Sequence, residues 1–165
     1  MTVTDVEKDP AALTMRITCE FEAPIERIWQ VWSDPRQLER WWGPPTYPAT
    51  VVTHEFNAGG RVAYYMTGPE GDAHHGWWRI VAVDPPNSLE FIDGFADENG
   101  VPNEAMPQTT TRVQLTSPSA GKTTMVVASQ FPSREAMEQL MAMGMEEGMI
   151  LAAGQIEDVL AAVAR

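Results

Sequence analysis

Between residues 48 and 131 the chain alternates apolar and polar residues in six successive segments, joined mostly by short turns. The segments are PATVVTHEF (48–56), RVAYYMT (61–67), HGWWRIVAV (75–83), SLEFIDGF (88–95), TTTRVQLTS (109–117) and TTMVVASQF (123–131). A period of two places neighbouring side chains on opposite faces of a strand. The turns carry the expected punctuation: Asn57-Ala58-Gly59-Gly60, Pro85-Pro86-Asn87 and Pro118-Ser119-Ala120-Gly121. Parallel pairing would need crossovers of about a dozen residues or more, so these strands are expected to pair antiparallel. Only residues 96–108 form a longer connection, rich in Gly, Pro, Asn and acids, and they read as a mobile loop.

A seventh strand precedes them, LTMRITCEF (13–21), with Leu13, Met15, Ile17, Cys19 and Phe21 on one face. Two short helices follow it. In the first, Ile25, Ile28, Trp29 and Trp32 form one apolar stripe behind Pro24, which suits a first helical position. Asp34 caps the second, which carries Leu38, Trp41 and Trp42 and stops at Gly43-Pro44-Pro45. After Ser133, a plausible N-cap, one continuous helix is expected from about 134 to 164, long enough to cross the domain. Residues 1–11 read as a polar, frayed tail and 12–165 as one domain. An antiparallel sheet with a helix segregated to one face is an α+β architecture.

Composition narrows the function classes. A formal net charge of −12 without a basic cluster opposes binding to nucleic acid and to anionic lipid surfaces. No apolar run approaches the ~20 residues of a membrane span. The first residues lack the pattern of a secretory leader and the single cysteine, Cys19, has no internal partner; the expectation is a cytoplasmic protein.

Familiar catalytic signatures are missing: there is no GxSxG, HExxH, CxxC, GxxxxGK[ST] or GxGxxG. Adjacent His74 and His75 point to opposite faces of a strand, so they do not easily share a metal. They read first as turn and surface histidines, with an acid–base role beside Asp72 as the alternative. No metal or nucleotide cofactor is expected. The last helix is less ordinary. Gly144 and Gly148 stand at i and i+4, Gly154 follows, and each interior glycine costs a helix about 1 kcal/mol against alanine. Met137, Met141, Met143, Met145 and Met149 surround them, five of ten methionines, and methionine adapts to irregular space. Three readings stand: close packing of the helix backbone on the sheet, a ligand cavity beneath the helix, or an oligomer contact. Glu135, Glu138, Glu146, Glu147, Glu157 and Asp158 read as the solvated side of that helix.

Four motifs together carry a resemblance. They are Ala23-Pro24 with Glu26, Ile28-Trp29, Trp32 to Pro35, Leu38 and Trp41 to Pro44; the turn Gly59-Gly60-Arg61; Gly76, Trp78, Ile80, Val83 and Pro85-Pro86; and Phe131 to Ser133 with Glu135 to Met137 and Gly144 to Gly148. Over residues 14–163 the chain resembles the activator of heat-shock-protein-90 ATPase homologues, a family of the START-like (Bet v 1-like, polyketide cyclase) superfamily. The resemblance implies a helix-grip fold: a curved seven-stranded antiparallel sheet around the long C-terminal helix, with two short helices closing one end. It also implies an apolar cavity between sheet and helix, with Trp41 and Trp42 near its mouth, one turned inward. Two departures stand out. Many relatives carry tryptophan where this chain has Met149, and nothing here corresponds to the separate chaperone-engaging domain that precedes the unit in eukaryotic activators.

The resulting expectation is a binder of a small hydrophobic or aromatic molecule, walled by Trp41, Trp42, Phe56, Tyr64, Met66, Trp78, Phe91, Met141, Met145 and Met149, with residues 96–108 as a gate. The alternatives are a cofactor-independent cyclase or hydrolase using His54, Asp72, His74 or Arg79, and a chaperone-associated interaction module or homodimer, which an exposed apolar patch would favour.

Overall fold

The computed structural model describes residues 2–163. In chain order its elements are β1 (Val3–Asp9), β2 (Thr14–Phe21), α1 (Ile25–Ser33), α2 (Pro35–Trp41), β3 (Ala49–His54), β4 (Arg61–Thr67), β5 (Ala73–Asp84), β6 (Ser88–Ala96), β7 (Thr109–Ser119), β8 (Lys122–Gln130), α3 (Arg134–Ala142), α4 (Met145–Gly154) and α5 (Ile156–Val163). The strands form one open antiparallel sheet in the order β1-β2-β8-β7-β6-β5-β4-β3. This is the α+β arrangement that the alternating segments and short turns imply. The sheet's inner face, with Ile17, Trp78, Phe91, Val113 and Met125, packs against Trp32 and Leu38 of the short helices and Ile156 and Val159 of α5.

Two expectations are corrected. The first residues are not a frayed tail: residues 3–9 form an eighth strand, paired with β2 from Val3↔Cys19 to Asp9↔Thr14. They bury little, chiefly Val3 and part of Val6, which is why an edge strand rich in charge carries a weak alternation. Lys8 of this strand pairs with Glu146 of α4, so Glu146 ties sheet edge to helix instead of standing free in solvent.

The C-terminal helix is the second correction. It consists of three segments, because Gly144 adopts a left-handed conformation with φ 87°. Such a residue ends a helix, and glycine takes the conformation without steric cost. Ser133 caps α3 as expected, accepting from the Ala136 amide at 3.0 Å, and Asp34 caps α2, accepting from Arg36 at 2.9 Å. Pro24 stands at the cap of α1, one residue earlier than expected. A further break falls at Gln155, whose side chain donates to the Gly43 carbonyl at 2.6 Å. The corner Trp42-Gly43-Pro44 is thereby fixed to the end of α4. A side chain at Gly43 has no room, since its Cβ would stand 2.0 Å from the Tyr47 carbonyl oxygen.

Candidate functional site

Successive inner-face residues of five strands do not all meet the helices. Tyr64 and Met66 of β4, Gly76 of β5, Asp93 and Phe95 of β6, Thr109 and Thr111 of β7 and Ser129 of β8 line a cavity of about 290 Å³. Leu140 of α3, Met143 and Gly144 at the helix break, and Met145, Gly148 and Met149 of α4 face them. Trp42 and Pro44 come from the corner after α2, and Pro107 from the loop before β7.

The helix glycines explain part of this space. Beyond its own helical turn, no atom lies within 4 Å of where a Cβ on Gly148 would stand. Close backbone packing, one of the three readings of these glycines, is therefore not why a glycine occupies position 148. Gly76 is different: a Cβ there would lie 2.4 Å from the Tyr64 ring, so its missing side chain lets that ring lie across β5.

Of the expected wall, the structure brings Trp42, Tyr64, Met66, Met145 and Met149 to the cavity. Trp41, Trp78, Phe91, Phe56 and Met141 are not among its lining residues, which corrects half of that set. Trp41 is sealed in the core, its indole donating to the Val31 carbonyl at 2.8 Å and meeting Trp32 edge to face. Trp78 stacks on Phe91 with centroids 4.0 Å apart, both fully buried. Phe56 lies elsewhere, stacked on His54 and edge-on to Trp29. Neither of the tandem tryptophans stands outside: Trp41 is core and Trp42 is cavity wall.

Polar groups that sequence reasoning passed over gather at the sheet side. Asp93 accepts a hydrogen bond from the Thr111 hydroxyl at 3.0 Å. Protein surrounds its carboxyl, yet part of its surface remains reachable from the cavity, and burial pushes its pKa up to about 7. Burial, helped by the charge of Asp93, also raises the Tyr64 phenol. The indole nitrogens of Trp42 and Trp78 approach that phenol without meeting hydrogen-bond geometry, and the Ser129 hydroxyl likewise lacks a partner. Buried polar groups are nearly always paired, so several unpaired ones around one cavity call for an explanation. The signal for Asp93 was available: it shares the period-two row of Leu89 and Phe91.

The other reactive candidates lie at the rim or beyond. His74 contacts Asp72 at 2.8 Å, and Tyr47 donates to the same carboxylate at 3.4 Å. The His74 bond holds Asp72 below its ordinary value. Both His74 and His75 contribute to the cavity lining, although the His75 ring tilts against Tyr65. His54 contacts the Trp32 carbonyl, and Arg79 is exposed. Cys19 is buried, and burial pushes its thiol up to about 12, far from a reactive thiolate. Among the described residues, no three His, Cys, Asp or Glu side chains gather as a metal site, and no helix is long and apolar enough to cross a membrane.

Comparison with known proteins places this geometry among relatives. The profile of the family described as activator of Hsp90 ATPase homolog 1-like protein matches residues 22–161. The crystal structure of protein Ms6760 from Mycobacterium smegmatis is 49% identical, with a TM-score of 0.88 and 96% of each chain covered. A protein from Arthrobacter aurescens solved by NMR is 51% identical, with a TM-score of 0.92, covering 97% of this chain and 92% of the other. An AHSA1 protein from Silicibacter pomeroyi, 21% identical with a TM-score of 0.70 over 90% of this chain and 97% of the other, shares the fold. No curated protein matches.

Proposed function

The chain belongs to the activator of Hsp90 ATPase homolog 1-like family, and from that premise we propose that it binds a small, mainly apolar molecule in the cavity between the sheet and α4. The observation that carries this reading is Gly148. A glycine inside a helix costs about 1 kcal/mol against alanine, and here no neighbour forbids a side chain. Its absence keeps open a volume close to the lower end of the ~300–1,000 Å³ typical of small-molecule sites. Apolar walls with a few polar groups at one side are how such sites combine affinity with orientation. Residues 96–108 suit a gate. Pro107 reaches the cavity, and Gln139 of α3 contacts the Met106 sulfur at 3.9 Å.

Native mass spectrometry of freshly purified protein, followed by release and identification of any adduct, tests the proposal. The expected result is a stoichiometric small-molecule adduct, or capture of one from a diverse panel. A mass that stays that of the bare chain throughout the panel would overturn it.

One observation favours a second reading, an enzyme of the same fold. A buried carboxyl with a pKa raised to about 7 is suited to general acid–base work, with the protonated Tyr64 phenol nearby as a hydrogen-bond donor. Product mass distinguishes the two, since a binding protein returns its ligand unchanged. The interaction-module reading has less support, because the large exposed apolar side chains, Val52, Val81, Val101, Met143 and Leu151, are spread over β3, β5, the 96–108 loop and the helical segments.

A further inference from the structure

Asp93 is a carboxyl without a cation. The Thr111 hydroxyl is its one hydrogen-bond donor among the described residues, and none of their ion pairs includes it. No lysine or arginine lines the cavity. Yet Asp93 is not sealed away as a satisfied core group would be: the residue is only half-buried and lines the cavity. Around that space stand Trp42, Tyr64, Phe95, Met145 and Met149. Aromatic faces attract cations, most strongly where water is excluded.

We propose that the polar end of the ligand is an amine: its ammonium group pairs with the Asp93 carboxylate, and its apolar body lies against Trp42, Tyr64, Phe95 and the α4 methionines. The inference rests on the cavity being a binding site and names the class of molecule it takes. Removing water from a carboxylate is the costly part of forming a buried ion pair. Once Asp93 ionises above about pH 7, the fold already bears part of that cost, so the incoming cation meets a preorganised, weakly screened charge. The net charge of −12 also raises the local concentration of cations over anions. A ligand carbonyl accepting a hydrogen bond from the neutral carboxyl is the competing chemistry, and its pH dependence has the opposite sign. Besides Asp93, the cavity-lining groups that can titrate or bond are Trp42 from the corner after α2, Tyr64 from β4, His74 and His75 from β5, Thr109 and Thr111 from β7 and Ser129 from β8. The helical side contributes methionines and no charge.

The test uses two probes of one size: 2-phenylethylamine and its neutral counterpart 2-phenylethanol. Affinities are followed by NMR between pH 5.5 and 8.5 for the full chain and for Asp93→Asn. The amine is expected to bind at least about tenfold more tightly than the alcohol at pH 8. That advantage shrinks below pH 7 and vanishes in Asp93→Asn, which still binds the alcohol and thereby reports an intact cavity. Retained amine preference in the variant would place the selectivity outside Asp93 and overturn the proposal. So would equal affinities at pH 8, or amine binding that tightens as the pH falls. If the alcohol or a neutral native adduct binds and the amine does not, only the amine is refuted. If neither probes nor adducts bind, the cavity reading fails with it.

Discussion

Ionising Asp93 works against folding. Its carboxyl titrates near pH 7 in the folded chain, against about 3.9 in an unfolded one. Between those values the folded state holds a proton that the unfolded state has released, so stability falls as pH rises through the window and stays low above it. Asparagine keeps the shape and still accepts from Thr111. Each pKa unit is worth about 1.4 kcal/mol, partly screened by solvent entering the cavity, so Asp93→Asn is expected to gain about 2 kcal/mol at pH 8 and nearly nothing at pH 4. Urea unfolding at both values checks this; an equal effect at the two would refute the shifted carboxyl. Strand alternation already turned Asp93 inward, and a charge on the row of Leu89 and Phe91 was a legible sign of a site. What alternation does not distinguish is core from cavity wall. Trp78, Phe91 and Trp41 have the same apolar chemistry as Trp42 and Tyr64, and only the three-dimensional gap between sheet and α4 separates them.

The helical run from α3 to α5 shows why its glycines are not equivalent. Gly144 has φ 87°, where a Cβ is strained, whereas Gly148 is ordinary helix with open space beside it. Gly144→Ala is therefore expected to lower stability by about 1–2 kcal/mol. Gly148→Ala is expected to raise it by up to about 1 kcal/mol. Paired thermal melts check the opposite signs, and two losses of similar size would show that both positions are tightly packed. The glycines were visible in the sequence, but their backbone conformation was not, so one long helix was the natural expectation. The strand β1 was hidden for a related reason. Its segment, VTDVEKD, buries mainly Val3, and pairing with β2 comes from backbone bonds that leave no side-chain pattern.

The family profile over residues 22–161 assigns the chain to its family, and the fold leaves a gap between the sheet and α4. Most of that architecture was legible because period-two segments and turn residues dictate antiparallel neighbours. The cavity was not, since it depends on the space left between Gly148, Met149 and the inner row from Tyr64 to Ser129. A single substitution separates an open site from incidental slack. Gly148→Leu places a side chain in the gap and replaces a poor helix former with a good one. The decisive measurement compares this variant with the parent chain, recording the melting temperature and the binding of 2-phenylethanol and 2-phenylethylamine from the shift of the Trp42 indole proton. A binding cavity predicts an unchanged or higher melting temperature with affinity reduced at least about tenfold. A variant that melts several degrees lower, or binds both probes as the parent does, would contradict it.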